Sequence, residues 1–181
     1  MRKQERTEDL PDGFITGYSD ADFAADTEDR KSMIGGVIFV ERCNVGWICQ
    51  KQTSVSQSTA ESEFIAASVV ATELHELYNM LDEVGIQGIH NWLLFVDNQA
   101  AIVQLKEESS TSKLEHVDIR YKYVQERIRN GMLEVKYVQS EEIKADLMTK
   151  ALSANKLGEL RALCGLVDDV KHTEGGVLET S

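Results

Sequence analysis

The sequence predicts an α/β domain built on a five-stranded mixed sheet, three antiparallel strands followed by two parallel ones, flanked by helices. Two observations carry this. Residues 14–50 hold three strand-like runs separated only by short turns, the pattern of an antiparallel meander. From residue 58 onward, segments with helical spacing alternate with single apolar runs, and a helical crossover makes the strands it joins parallel. A chain of 181 residues with 42% hydrophobic content suffices for one such domain with a real core and is short for two.

The elements follow in order. Residues 1–13 are polar, contain the only proline (Pro11), and are expected to form a flexible tail. Phe14 to Ser19 reads as a short strand, and Asp26-Thr27-Glu28-Asp29-Arg30 as turn chemistry. Ile34 to Val40 is the next strand, its start weakened by Gly35-Gly36. Val45 to Gln50 is its hairpin partner across an Arg42-Cys43-Asn44 turn. Ser58-Thr59-Ala60-Glu61 is a capping-box pattern that opens a helix, with Ser58 as N-cap and Glu61 at N3. Its apolar positions Ile65, Val69 or Val70, Leu74, Leu77 and Leu81 run until Gly85 ends it, and Glu63 is expected in its first turn. Trp92 to Val96 is a continuous apolar run, the mark of a strand buried on both faces. A second helix starts at Asn98 and runs through Leu105, and a third spans Val117 to Arg129, stopped at Asn130-Gly131. Met132 to Val138 alternates apolar and polar residues as a half-exposed strand does; Ile143 to Leu152 and Lys156 to Leu163 are two further short helices. The domain is expected over 14–166, followed by an acidic, disordered tail over 167–181. Trp47 and Trp92 are expected in the core.

Four segments each deliver an acid to a place where such a fold could collect them. The best candidates, Asp20, Glu63, Asp97 and Asp146, are separated by 43, 34 and 49 residues, too far for one binding loop. Asp20 and Asp97 follow strands one and four, where active residues gather in sheets of this kind. Glu63 and Asp146 come from helices. Asp22 competes with Asp20, because alternate strand residues share a face, and Glu61 competes with Glu63, although Glu61 has capping to do. Clustered carboxylates repel one another, so a fold that assembles four usually holds hard divalent cations there.

Charge and cysteines narrow the classes. The net charge of −12, from 31 acids and 19 bases, disfavours a nucleic-acid partner on its face. Its distribution softens that. Residues 167–181 carry four acids against one base, while 113–136 carry six bases against four acids, plus His116. No apolar run approaches the roughly 18 residues that span a bilayer, so no membrane partner is expected. Cys43, Cys49 and Cys164 form no CxxC pair, which fits a reducing compartment and argues against a zinc site.

A set of motifs in fixed order makes the reading specific. Gly17-Tyr18-Ser19-Asp20-Ala21-Asp22-Phe23-Ala24, Asp29-Arg30-Lys31-Ser32, Gly46-Trp47 with Lys51-Gln52, Ser58-Thr59-Ala60-Glu61-Ser62-Glu63-Phe64-Ile65-Ala66, Val96-Asp97-Asn98-Gln99-Ala100-Ala101-Ile102, His116-Val117-Asp118-Ile119-Arg120-Tyr121 and Ala145-Asp146-Leu147-Met148-Thr149-Lys150 occur in that sequence. Together, over about residues 14–166, they resemble the ribonuclease H domain of the Pol polyproteins of copia-type retrotransposons. The resemblance implies a ribonuclease H-like fold and hydrolysis of the RNA strand of RNA/DNA hybrids during reverse transcription. It implies Asp20, Glu63, Asp97 and Asp146 as catalytic metal ligands, two Mg²⁺ ions with Mn²⁺ as a substitute, and a two-metal mechanism. It also implies the reverse transcriptase domain of the same polyprotein as a neighbour, a monomeric isolated domain, and a cytoplasmic particle, with the nucleus as the other location. Candidates for 2′-hydroxyl contacts in the hybrid's shallow groove are Ser58, Thr59, Gln57, Asn98 and Gln99. Lys113, His116 and Arg120 are candidates for the DNA strand's phosphates.

Two departures stand out. The loop between Val138 and Asp146 has no histidine, where many cellular ribonucleases H place one, and Ala151 stands where the family usually has proline after Thr149-Lys150. The first predicts slower turnover with the site intact. Two other classes compete: a catalytically silent remnant serving as a tether or interaction module of a Pol polyprotein, and a different nuclease or transposase on the same fold. The four acids speak against the first, and the second should show three acids and a strongly basic surface.

Overall fold

The computed structural model describes residues 13–107 and 119–166, with Ile119 and Arg120 in backbone only. The expected tails and the stretch holding Lys113 and His116 lie outside the described residues. In chain order the elements are β1 (Phe14–Asp22), β2 (Met33–Val40), β3 (Cys43–Lys51), α1 (Thr59–Glu83), β4 (Asn91–Val96), α2 (Gln99–Lys106), α3 (Ile119–Arg129), β5 (Leu133–Tyr137), α4 (Asp146–Thr149) and α5 (Ala154–Leu163). The sheet order is β3-β2-β1-β4-β5. β1 pairs antiparallel with β2 and β2 with β3, while β4 runs parallel to both β1 and β5. The mixed sheet is the one the sequence predicts.

The helices cap as their sequences dictate. The Ser58 hydroxyl accepts from the Glu61 N–H at 3.1 Å, and Asn98 accepts from the Ala101 N–H at 3.0 Å, so α1 and α2 each open on a polar side chain. Gly85, at φ +80°, takes the left-handed conformation that ends α1.

Several boundaries differ from the sequence reading. β1 continues past Ser19 to Asp22, because β2 keeps supplying partners: Asp20 faces Gly35 and Asp22 faces Met33. Polar residues alone look like a strand end; a neighbouring strand overrides that. The hairpin turns on Glu41-Arg42, so β3 begins at Cys43, and a bulge at Val45 absorbs the extra residue. α4 is a single turn over Asp146–Thr149, not a helix over 143–152. Glu61 occupies the first turn of α1, and Glu63 stands beyond it.

The two sheet faces are covered differently. Under α1, α2 and α3 lies the larger core, including Ile15, Val70, Leu74, Trp92, Leu94 and Leu105. On the other face Tyr18, Val37, Phe39, Leu93, Phe95 and Ile143 pack with Cys164. Tyr18 stacks on Phe95 at 4.9 Å and meets Phe39 edge-on at 5.9 Å. Each large apolar side chain so buried contributes roughly 1.5–3 kcal/mol. Gly35-Gly36 does more than weaken β2: the pair admits a helix on each face. A Cβ on Gly36 would stand 2.8 Å from Val70 of α1, and one on Gly35 would stand 2.5 Å from Thr149 of α4. Trp92 is fully buried, but Trp47 is 71% exposed, contrary to its expected core position. It sits on the edge strand, where sequence pattern cannot tell a covered face from an open one.

Candidate metal centre

β1 and β4 pair in parallel up to Ser19 and Val96, which places Asp20 and Asp97 side by side as the next residue of each chain. β4 ends there, since Asn98 turns the chain into α2. α1 brings Glu63 to the same point. The carboxylates of Asp20, Glu63 and Asp97 each offer an oxygen within 4.8 Å of the others. Asp20 is 1% exposed and Glu63 4%. Among the described residues this is the group with a metal ligand's geometry.

Electrostatics mark the cluster as strained without a cation. Burial, then the charges of Asp20 and Asp97, push Glu63 up to about 9; the Ala21 amide and Lys150 oppose this only in part. Burial also raises Asp97, with Asp20 adding to it, although the Ser140 hydroxyl donates to Asp97 Oδ2 at 2.8 Å. Glu63 Oε2 and Asp97 Oδ1 are both buried with no hydrogen-bond partner. Buried carboxyl oxygens without a partner are costly, and a divalent cation is the ligand that would satisfy both. The donor set of hard oxygens fits Mg²⁺ or Mn²⁺.

Asp146 stands beside the triad, outside the three-carboxylate group. It opens α4 and is bridged to Asp20 by one side chain: Lys150 Nζ donates to Asp146 Oδ1 at 2.5 Å and to Asp20 Oδ1 at 3.1 Å. Thr149 donates its hydroxyl to Asp20 Oδ2. Burial raises Asp146 from its ordinary value, and Asp20 adds to this against the Lys150 hydrogen bond. Burial pulls Lys150 down, yet its two carboxylates outweigh that and hold it above the ordinary lysine range.

The competing acids have other surroundings. Glu61 accepts from the Gln57 N–H at 2.6 Å, a capping role. Asp22 is half-buried on the face of Asp20 and outside the triad. Ser58 and Thr59 are exposed at the start of α1, the helix that carries Glu63, and Asn98 and Gln99 open α2 directly after Asp97. Their caps occupy the Ser58 and Asn98 oxygens. The side chains of Lys113, His116 and Arg120 lie outside the described residues. Sequence reasoning assigned no role at the site to Gly35, Ser140, Thr149 or Lys150. Thr149 and Lys150 did stand in the motif around Asp146, and Lys150 also carried its i,i+4 spacing from that acid.

No family model matches the chain. Its fold is that of ribonuclease H. It superposes on the N-terminal RNase H domain of a Mycobacterium tuberculosis protein with a TM-score of 0.52 at 8% identity, covering 82% of this chain and 96% of that one. It also superposes on RNase H1 of the halophilic archaeon Halobacterium salinarum, with a TM-score of 0.50 at 14% identity over 81% and 98% of the two chains. In sequence, the chain is homologous to a segment of the retrovirus-related Pol polyproteins of copia-type transposons. It is 31% identical over 155 residues to that of transposon TNT 1-94 of Nicotiana tabacum, covering 86% of this chain. It is 30% identical over 164 residues to that of transposon RE2 of Arabidopsis thaliana, covering 91%. The chain spans only 12% and 11% of the length of those two polyproteins. Fold and relatives together identify the chain as a segment of a copia-type Pol polyprotein with the ribonuclease H fold.

Proposed function

We propose that the chain is a metal-dependent ribonuclease H that hydrolyses the RNA strand of RNA/DNA hybrids during retrotransposon reverse transcription, using two Mg²⁺ ions that Mn²⁺ can replace. The observation that carries this reading is the convergence of Asp20, Glu63 and Asp97 from β1, α1 and β4, with two buried carboxylate oxygens left without a donor. Asp20, Glu63, Asp97 and Asp146 would hold the ions. Bound there, the ions supply an activated water and neutralise charge on the attacked phosphate and the leaving 3′ oxygen.

The chain's own residues do the positioning. Thr149 and Lys150 fix both oxygens of Asp20, and Ser140 fixes one of Asp97, so two ligands are oriented before any ion arrives. The α1 and α2 starts present Ser58, Thr59, Asn98 and Gln99 toward a substrate laid across the site, where 2′-hydroxyls in the shallow groove identify the RNA strand. Lys113, His116 and Arg120 are assigned to the DNA strand's phosphates. A net charge of −12 opposes tight binding of a polyanion by the isolated domain. We therefore assign much of the affinity to a reverse transcriptase domain of the same polyprotein, with this domain monomeric and working in the element's cytoplasmic particle.

The test is cleavage of a labelled RNA/DNA hybrid in Mg²⁺ by wild type and Asp97→Asn, with RNA/RNA and DNA/DNA duplexes as controls. Hybrid-only cleavage of RNA that Asp97→Asn abolishes is the expected result. A folded protein that cuts nothing in Mg²⁺ or Mn²⁺ would instead identify a catalytically silent module.

A further inference from the structure

The two oxygens of Asp20 are both taken, and by consecutive residues: Thr149 donates to Oδ2 and Lys150 to Oδ1. The same ammonium reaches Asp146 Oδ1. Glu63 Oε2 and Asp97 Oδ1 are buried without any donor. One part of the acidic cluster therefore carries its own cation, and the other does not. We propose that Lys150 is the resident occupant of the second of two cation positions. At rest the chain binds a single divalent ion, at Glu63 and Asp97 with Asp20, and a second ion enters beside Asp146 only as Lys150 swings out. The inference rests on the reading of the acids as cation ligands.

Three features suit Lys150 to this exchange. Its charge is a compact ammonium on a flexible four-carbon stem, which can withdraw where a guanidinium fork would be held by several bonds. Its side chain is 38% exposed while those of Asp20 and Asp146 are 1% and 9% exposed, so the lysine has a route to solvent that its partners lack. Its backbone has already left the α4 helix for an extended conformation, φ −115° and ψ 146°, yet is held by its N–H to the Asp146 carbonyl at 3.1 Å. The stem can move while its anchor stays. Thr149, a neutral donor, keeps Asp20 oriented when the ammonium leaves, so the two residues divide orientation from charge balance. The displaced ammonium remains tethered at the mouth of the site. A phosphate arriving there brings negative charge that both the ammonium and the second ion can share, and this favours the exchange when substrate binds.

Mn²⁺ binding, followed by the electron paramagnetic resonance signal of the free ion, separates the possibilities without any activity measurement. Wild type should bind one ion, with a second weaker by about tenfold or more because two cations crowd the acids. Lys150→Gln should bind two, the second tightened by about tenfold or more, whereas Lys150→Arg, which keeps the charge, should stay at one. Asp97→Asn should lose the first ion. Equal stoichiometry and affinity in wild type and Lys150→Gln overturn the role of Lys150 and leave the ligand reading standing. A wild type that binds no Mn²⁺ overturns the ligand reading, and this inference with it. Should Lys150→Gln not fold, the wild type still decides the matter: labelling of the Lys150 amine, read by mass spectrometry, must rise as Mg²⁺ passes from the first to the second binding range. Unchanged labelling across that range overturns the proposal.

Discussion

Asp20 and Asp146 face an ammonium and a hydroxyl, whereas Glu63 and Asp97, in the same cluster, face mainly other carboxylates. The contrast separates two ways of burying acid. In the first, Lys150 and Thr149 replace water's hydrogen bonds, so folding can tolerate the burial. In the second, Ser140 is the one side-chain donor among the described residues and the Ala21 amide serves Glu63, while Glu63 Oε2 and Asp97 Oδ1 stay unmatched. The unmatched half loses folding stability and gains affinity for a cation by the same repulsion.

Substitutions can break that contrast, and the largest effect belongs to Asp97. Asp97→Asn should cut hybrid cleavage by about 10³-fold or more, the scale of losing one preorganised charge from an active site, measured as single-turnover rates at saturating enzyme. The metal-free variant should melt at a higher temperature than wild type, because a raised carboxylate is removed.

Next comes the approach of α4. Gly35→Ala would bring a Cβ to 2.5 Å from Thr149 Cγ2 and 2.8 Å from the Ala145 carbonyl. Overpacking of this kind costs about 1–3 kcal/mol, and the displaced turn should loosen Lys150 and Thr149 from Asp20. Gly46→Ala on β3, which meets nothing within 4 Å, is the control and should leave urea unfolding unchanged. A smaller change is expected from Ser140→Ala, which removes the donor to Asp97. Outer-shell partners of this type are worth about 10–100-fold in metal affinity, to be read by calorimetric titration with Mg²⁺.

Glu63→Gln sharpens the contrast through pH. Glu63 sits at about 9 in the fold against an ordinary 4.5. The protonated side chain therefore contributes its full stability below about pH 4.5, and that contribution is lost as pH rises through about 9. Chelator-treated Glu63→Gln should match wild type near pH 4 and exceed it increasingly above, by on the order of 3 kcal/mol in neutral solution. A gain independent of pH would refute the electrostatic cause. Smallest of all, Trp47→Ser on the exposed edge should move stability by no more than about 0.5 kcal/mol.

Much of this was legible in the chain. Ser58 and Asn98 announce helix starts because a cap is a bond to a residue three positions on. The apolar run before Asp97 and the helical crossover after β3 predict that β4 runs parallel to β1; that the two strands are neighbours, and so Asp20 and Asp97 adjacent, is decided by the sheet order. What misled was edge and end. β1 outran its polar residues because β2 lies beside it, and Trp47 looked like core because exposure on an edge strand depends on what covers it.

The sequence by itself determined the capped starts of α1 and α2, the strand alternation, the mixed sheet and which acids a fold could collect. These rest on contacts between near neighbours or on rules of chain connection. Only the tertiary structure decided how those acids are balanced. Thr149 and Lys150 reach Asp20 across 129 and 130 residues, and Ser140 reaches Asp97 across 43. Over such separations the chain's local pattern carries no information about which donor meets which oxygen; packing of α4 against Gly35 and the end of β5 against β4 fixes it.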